Sequence, residues 1–113
     1  MCNASTLNLI TTQIVRAVSS RIGDKLDSIL LYGSYARGDY DNESDIDIMV
    51  LADISADEAS NIERELVSVT SSLGLEHDIL ISLYVKDCAT FYKWKDVLPF
   101  YQSVLRDGVK LIA

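Results

Sequence analysis

The run GSYARGDYDNESDIDIMV, Gly33 to Val50, holds a glycine–serine pair and, ten residues later, two aspartates one residue apart. Asp45 and Asp47 alternate with Ile46, Ile48 and Val50, a period of two that reads as a strand. Both carboxylates then leave one face, with Cα atoms roughly 6.5 Å apart at about 3.3 Å per residue. Like charges so placed repel, so the pattern calls for a compensating partner. Hard divalent cations such as Mg²⁺ take oxygen ligands and complete their shell with waters and substrate phosphates. Two such ions about 3.5–4 Å apart stabilise the attacking and leaving oxygens of an in-line displacement at phosphorus. Upstream, Gly33 ends a strand and Ser34 opens a short helical turn, Ser34 to Arg37, which Gly38 closes. Backbone N–H groups at such a turn form an anion site, and glycine allows close approach. Arg37 is placed either to touch a phosphate or to serve as a surface cation. A phosphate cradle, a loop and a carboxylate pair follow one another.

The surrounding elements position this run. Leu7, Ile10, Ile14, Val18 and Ile22 recur at helical steps, with Ser5 or Thr6 as cap and Gly23 as stop. Leu26 to Tyr32 reads as a strand that delivers Gly33. Ser55 or Asp57 opens a second helix carrying Ala59, Ile62, Leu66, Val69 and Leu73, closed by Gly74. Leu75 to Val85 reads as a long strand, with Ile79, Ile81, Leu83 and Val85 on its apolar face and Asp78, Ser82 and Tyr84 on the other. His77 shares the apolar parity and reads as a packed histidine. Phe91, Trp94, Leu98, Tyr101 and Leu105 follow at helical spacing, as core or partner interface, and Val109 to Ile112 forms a last short strand. The order predicts an α/β (α+β) domain spanning residues 1–113, a mixed sheet with helices packed on it.

Gly33-Ser34, ten residues, then Asp45-x-Asp47 resembles the signature of the DNA polymerase β-like nucleotidyltransferase superfamily. SYARGD with SDIDIMV, and the ending DVLPFYQSVLRDGVKLIA, resemble its minimal stand-alone members, the MNT domains. That resemblance implies transfer of AMP from ATP to an acceptor hydroxyl with release of pyrophosphate. Asp45 and Asp47 would ligand two Mg²⁺ ions, and Gly33 and Ser34 would hold the β- and γ-phosphates. The family places a third carboxylate on a neighbouring strand. Asp78 is its match here, completing one metal site and helping deprotonate the hydroxyl, with Glu76 of the same parity as the alternative. Stand-alone MNT proteins are often paired with a HEPN-domain RNase toxin, so the resemblance implies an antitoxin that adenylylates a protein partner. Transfer to a small molecule such as an antibiotic, or a non-catalytic nucleotide-binding or neutralising subunit, are the alternatives.

Bulk composition bears on the partner. Hydrophobic residues make up 49% of the 113, enough for a core, although a domain this size buries only about two-thirds of its unfolded surface. A HEPN protein or a second copy of the chain would cover what remains. Seventeen acidic against ten basic residues give a net charge of −7, which disfavours stable nucleic-acid binding. Cys2 and Cys88 read as free thiols in a reducing cytoplasm. No apolar run is long enough to span a bilayer, and residues 1–20 lack a targeting pattern.

Overall fold

The computed structural model describes residues 3–41 and 44–112. Helix α1 (Ala4–Ile22) leads through a single 3₁₀ turn into strand β1 (Leu26–Tyr32), and a one-turn helix α2 (Ser34–Arg37) precedes β2 (Ile46–Ala52). Helix α3 (Ala56–His77) crosses over to β3 (Ile81–Asp87), and α4 (Cys88–Trp94), α5 (Pro99–Asp107) and β4 (Val109–Ile112) complete the order. The four strands run β3-β2-β1-β4. β1 is antiparallel to β2 and β4, while β2 and β3 are parallel, as a helical crossover requires. The expected mixed sheet with packed helices is the observed fold.

Alternation along the strands divides the core in two. Ile29 and Leu31 of β1, Ile46, Ile48 and Val50 of β2, and Ile81 and Val85 of β3 pack with Ile10, Ile14 and Val18 of α1 and Ile62, Leu66 and Leu73 of α3. On the opposite face Leu30, Tyr32, Met49 and Leu51 meet Phe91 of α4 and Tyr101 and Val104 of α5. Glu63 of α3 accepts a hydrogen bond from the Val85 N–H at 2.8 Å, which fixes β3 under the helix and blunts an edge strand.

Several boundaries differ from the sequence reading. Asn3, rather than Ser5 or Thr6, caps α1, its side chain accepting from the Thr6 N–H at 2.9 Å. Ser55 caps α3 as expected, accepting from the Glu58 N–H. That helix does not stop at Gly74, and the long strand from Leu75 does not exist: α3 runs on to His77, and β3 begins only at Ile81. Gly74 serves a different purpose. The Ile79 N–H closes on the Gly74 carbonyl at 2.9 Å, a Schellman-type ending. A Cβ at Gly74 would stand 2.6 Å from the Ile79 carbonyl oxygen. The aromatic tail is two helices rather than one, because Pro99 begins a new helix at its first turn. Cys88 is a free thiol, half-buried; Cys2 lies outside the described residues. Among the described residues no helix is long and apolar enough to cross a membrane.

Candidate active site

Asp47 sits in β2 between two defined neighbours, Tyr32 on antiparallel β1 and Ser82 on parallel β3. Asp45 lies just before the strand, next to Ile46, whose N–H bonds the Leu80 carbonyl at 3.0 Å. Ile46 and Ile48 are completely buried on the other side, so the strand cannot rotate its carboxylates away without exposing its apolar face. The expected pair is therefore presented by a rigid element.

Gly33 fits against this pair more tightly than the sequence could show. Its φ of +74° is unfavourable for any residue with a side chain. A Cβ there would also stand 2.5 Å from Asp47 Oδ2. The backbone thus passes directly beside the carboxylate and turns into α2, where the Ala36 and Arg37 N–H groups both close on the Gly33 carbonyl at 3.1 Å. Ser34 opens the turn, and Gly38, at φ +86°, ends it as expected. The glycine turn and the carboxylate pair are contiguous.

The electrostatics are those of an unbalanced acidic site. Burial raises the Asp47 carboxyl above its ordinary value, the Asp45 charge raises it further, and Arg37 opposes both. No described residue donates a hydrogen bond to the Asp47 carboxylate. Burial, then the Asp47 and Tyr84 charges, hold the Tyr32 hydroxyl well above the usual phenol range. Arg37 is itself engaged: its Nε lies 3.2 Å from Asp39 and its Nη1 3.0 Å from Asp107 of α5. It therefore pins α2 to α5, and only its longer-range field reaches Asp47.

Asp78 does not stand where the sequence reading put it. It is the exposed residue that ends α3 in the left-handed conformation (φ 53°, ψ 51°), its N–H closing on Gly74. Glu76 is on the last turn of the same helix, 4.0 Å from His77 Nε2. Neither is a strand residue facing the pair. Among the described residues no three His, Cys, Asp or Glu side chains come together as a metal-holding group. Two close, half-buried carboxylates without hydrogen-bonded compensation still suit a hard divalent cation.

Sequence reasoning missed the aromatic wall beside the pair. The Tyr32 and Tyr84 rings each meet Phe100 edge-on, at centroid distances of 5.8 and 5.9 Å. Tyr84 already lay on the right face by parity. Phe100 could be placed only by knowing that α5 folds back onto β1.

Comparison with known proteins agrees with this fold. The family-wide profile of the nucleotidyltransferase domain matches residues 12–109. Two proteins of Methanocaldococcus jannaschii, each named "Putative protein adenylyltransferase", are similar. One is 36% identical over 85 residues, 74% of this chain and 84% of the relative. The other is 33% identical over 96 residues, 85% of this chain and 88% of the relative. Among solved structures, a toxin–antitoxin crystal structure with AMP-PNP superposes with a TM-score of 0.57 at 25% identity, over 91% of this chain and 73% of that one. The MntA–HepT toxin–antitoxin structure gives 0.55 at 25% identity, over 94% and 72%. A nucleotidyltransferase fold from Sulfolobus solfataricus superposes at 0.55 with 18% identity. With Asp47 on β2, Asp45 just before it, a glycine turn against Asp47 and a profile match over most of its length, the chain belongs to the nucleotidyltransferase family.

Proposed function

We propose that this nucleotidyltransferase moves AMP from ATP to a hydroxyl side chain of a protein partner, as the antitoxin of a HEPN/MNT pair in the cytoplasm. The observation that carries the reading is the packing of Gly33 on Asp47. It sets a close-approach backbone for phosphate beside a carboxylate pair, the arrangement that transfer at an α-phosphorus needs. Asp45 and Asp47 would hold Mg²⁺, which supplies charge neutralisation at the triphosphate. The Gly33–Ser34 backbone would seat the terminal phosphates, and α2, pinned through Arg37 to α5, keeps that backbone in place. The acceptor oxygen bonds to the α-phosphorus, the bond from that phosphorus to the bridging oxygen breaks, and pyrophosphate leaves.

The names of the two archaeal relatives and the toxin–antitoxin neighbours support a protein acceptor. So does the surface beside the site, where Tyr84 and Phe100, in edge-on contact, both remain exposed, apolar area suited to a docking protein. The net charge of −7 favours a partner with a basic surface, such as an RNA-cleaving protein presents. A phosphoryl group added to a tyrosine near that partner's RNA site would repel RNA. Incubation of the chain with a HEPN protein, Mg²⁺ and α-labelled ATP tests this. Label is expected on a partner tyrosine; label on added RNA or an aminoglycoside, and never on the protein, contradicts it.

A further inference from the structure

Among the described strand residues, the register of the sheet specifies which positions stand beside the pair. Beside Asp47 stand Tyr32 on β1 and Ser82 on β3. Along β2 the same face carries Asp45 on one side and Met49 on the other, and the next position of β3 on that face is Tyr84. The strand position that could bring a third carboxylate to the pair is therefore Ser82, a neutral residue that ligates divalent cations weakly. Asp78, the nearest acidic residue before β3, ends α3 and is exposed.

This matters because of how many oxygens a cation needs. One Mg²⁺ takes about six oxygen ligands in near-octahedral geometry. Two carboxylates, a triphosphate and water satisfy it readily. A second ion about 3.5–4 Å away, on the acceptor side, needs ligands of its own beyond those the pair shares. Among the described residues, no third acidic, histidine or cysteine side chain joins the pair to supply them.

We propose that this chain binds a single divalent cation with its nucleotide, and that Ser82 is the position that withholds the second. The proposal rests on the nucleotide-transfer reading above and narrows it. The group that deprotonates the attacking hydroxyl then arrives with the acceptor protein: a basic side chain near its hydroxyl takes the proton. The oxygen bonds to the α-phosphorus, and pyrophosphate leaves with the bonding electron pair.

Cation counting tests this without reference to turnover. The full chain is saturated with a non-hydrolysable ATP analogue bridged by carbon between the α- and β-phosphorus. Protein-bound Mn²⁺ is then counted by electron paramagnetic resonance against bound nucleotide. The expected ratio is one in the wild-type chain, still one in Asp78→Asn, and two in Ser82→Asp. A third carboxylate beside Asp47 should also lower the melting temperature of apo Ser82→Asp, with Mn²⁺ restoring it. Two Mn²⁺ per nucleotide in the wild type, or a drop in the ratio on Asp78→Asn, overturns the proposal. So does a folded, nucleotide-binding Ser82→Asp that still holds one. If Ser82→Asp does not fold, the wild-type and Asp78→Asn counts decide. Absence of both nucleotide and Mn²⁺ from the wild type instead overturns the nucleotide-transfer reading itself.

Discussion

Two aspartates of the same sheet have opposite surroundings. Asp87, at the end of β3, is buried, and burial alone would raise its carboxyl; the Thr90 N–H, bonded to it at 2.9 Å as the cap of α4, together with the Thr90 hydroxyl, the Asp87 N–H and the Lys86 charge, outweighs this and lowers it. Asp47, on the neighbouring strand, is half-buried beside Asp45 and has no described donor, so its carboxyl is raised. Asp87 is a carboxylate whose charge the fold uses. Asp47 is one whose charge the fold leaves unbalanced, and that imbalance is what a bound cation would relieve.

Exchanging each residue should break the comparison in opposite directions. Asp47→Asn should lower AMP transfer by ~10²–10³-fold, since cation-borne charge stabilisation is worth several kcal/mol at about 1.36 kcal/mol per tenfold. Its apo melting temperature should hold or rise. Asp87→Ala should melt lower by about 0.5–2 kcal/mol for the lost cap, with transfer by the folded fraction little changed. Steady-state rates and thermal melts on both variants read this out.

Gly33→Ala should come next in size. Its left-handed backbone costs roughly 1–2 kcal/mol for any residue with a side chain, and the added methyl would collide with Asp47 Oδ2. Stability and nucleotide affinity should fall together, which melts and a nucleotide titration would register; Gly38→Ala, with open space around its Cβ, should reduce stability alone.

Acid sensitivity sharpens the contrast at smaller amplitude. A carboxyl raised on folding favours the folded state below its unfolded value, about 3.9, and loses that contribution as pH rises through its folded value. Asp47 is of this kind in the apo protein. Asp87, lowered on folding, contributes above the unfolded value and loses it as pH falls through its folded value. Melts between about pH 3 and pH 6 should show Asp47→Asn gaining on the wild type as pH rises, and Asp87→Asn gaining as pH falls. Arg37→Gln should change least: its pair with Asp39 is exposed, and the more covered Asp107 keeps Arg106 as a partner, so the effect on melting should be small and weaken with salt.

The difference between these residues also explains what was legible in the sequence. The strand–turn–strand around Gly33 and Asp47 is local, coded by a period of two and by glycines with no substitute, and could be read directly. The α3–β3 boundary could not. Gly74 carries the signal of a helix end, yet its need is for close approach by the Ile79 carbonyl, a contact made only after the chain has turned back. Reading it as a stop converted Leu75–Asp78 from helix end to strand and put Asp78 on the wrong element. Likewise, Arg37 offered no sign of its commitment to Asp107, seventy residues away, because pairing at that distance depends on where α5 packs.

The Asp45–Asp47 pair should bind nucleotide through a divalent cation. Calorimetric titration of the chain with ATP, once in Mg²⁺ and once in EDTA, tests it most directly. Affinity should be at least about tenfold higher with Mg²⁺, equivalent to ~1.4 kcal/mol, and Asp47→Asn should abolish that difference while leaving the protein folded. Equal affinity in Mg²⁺ and EDTA would contradict the account.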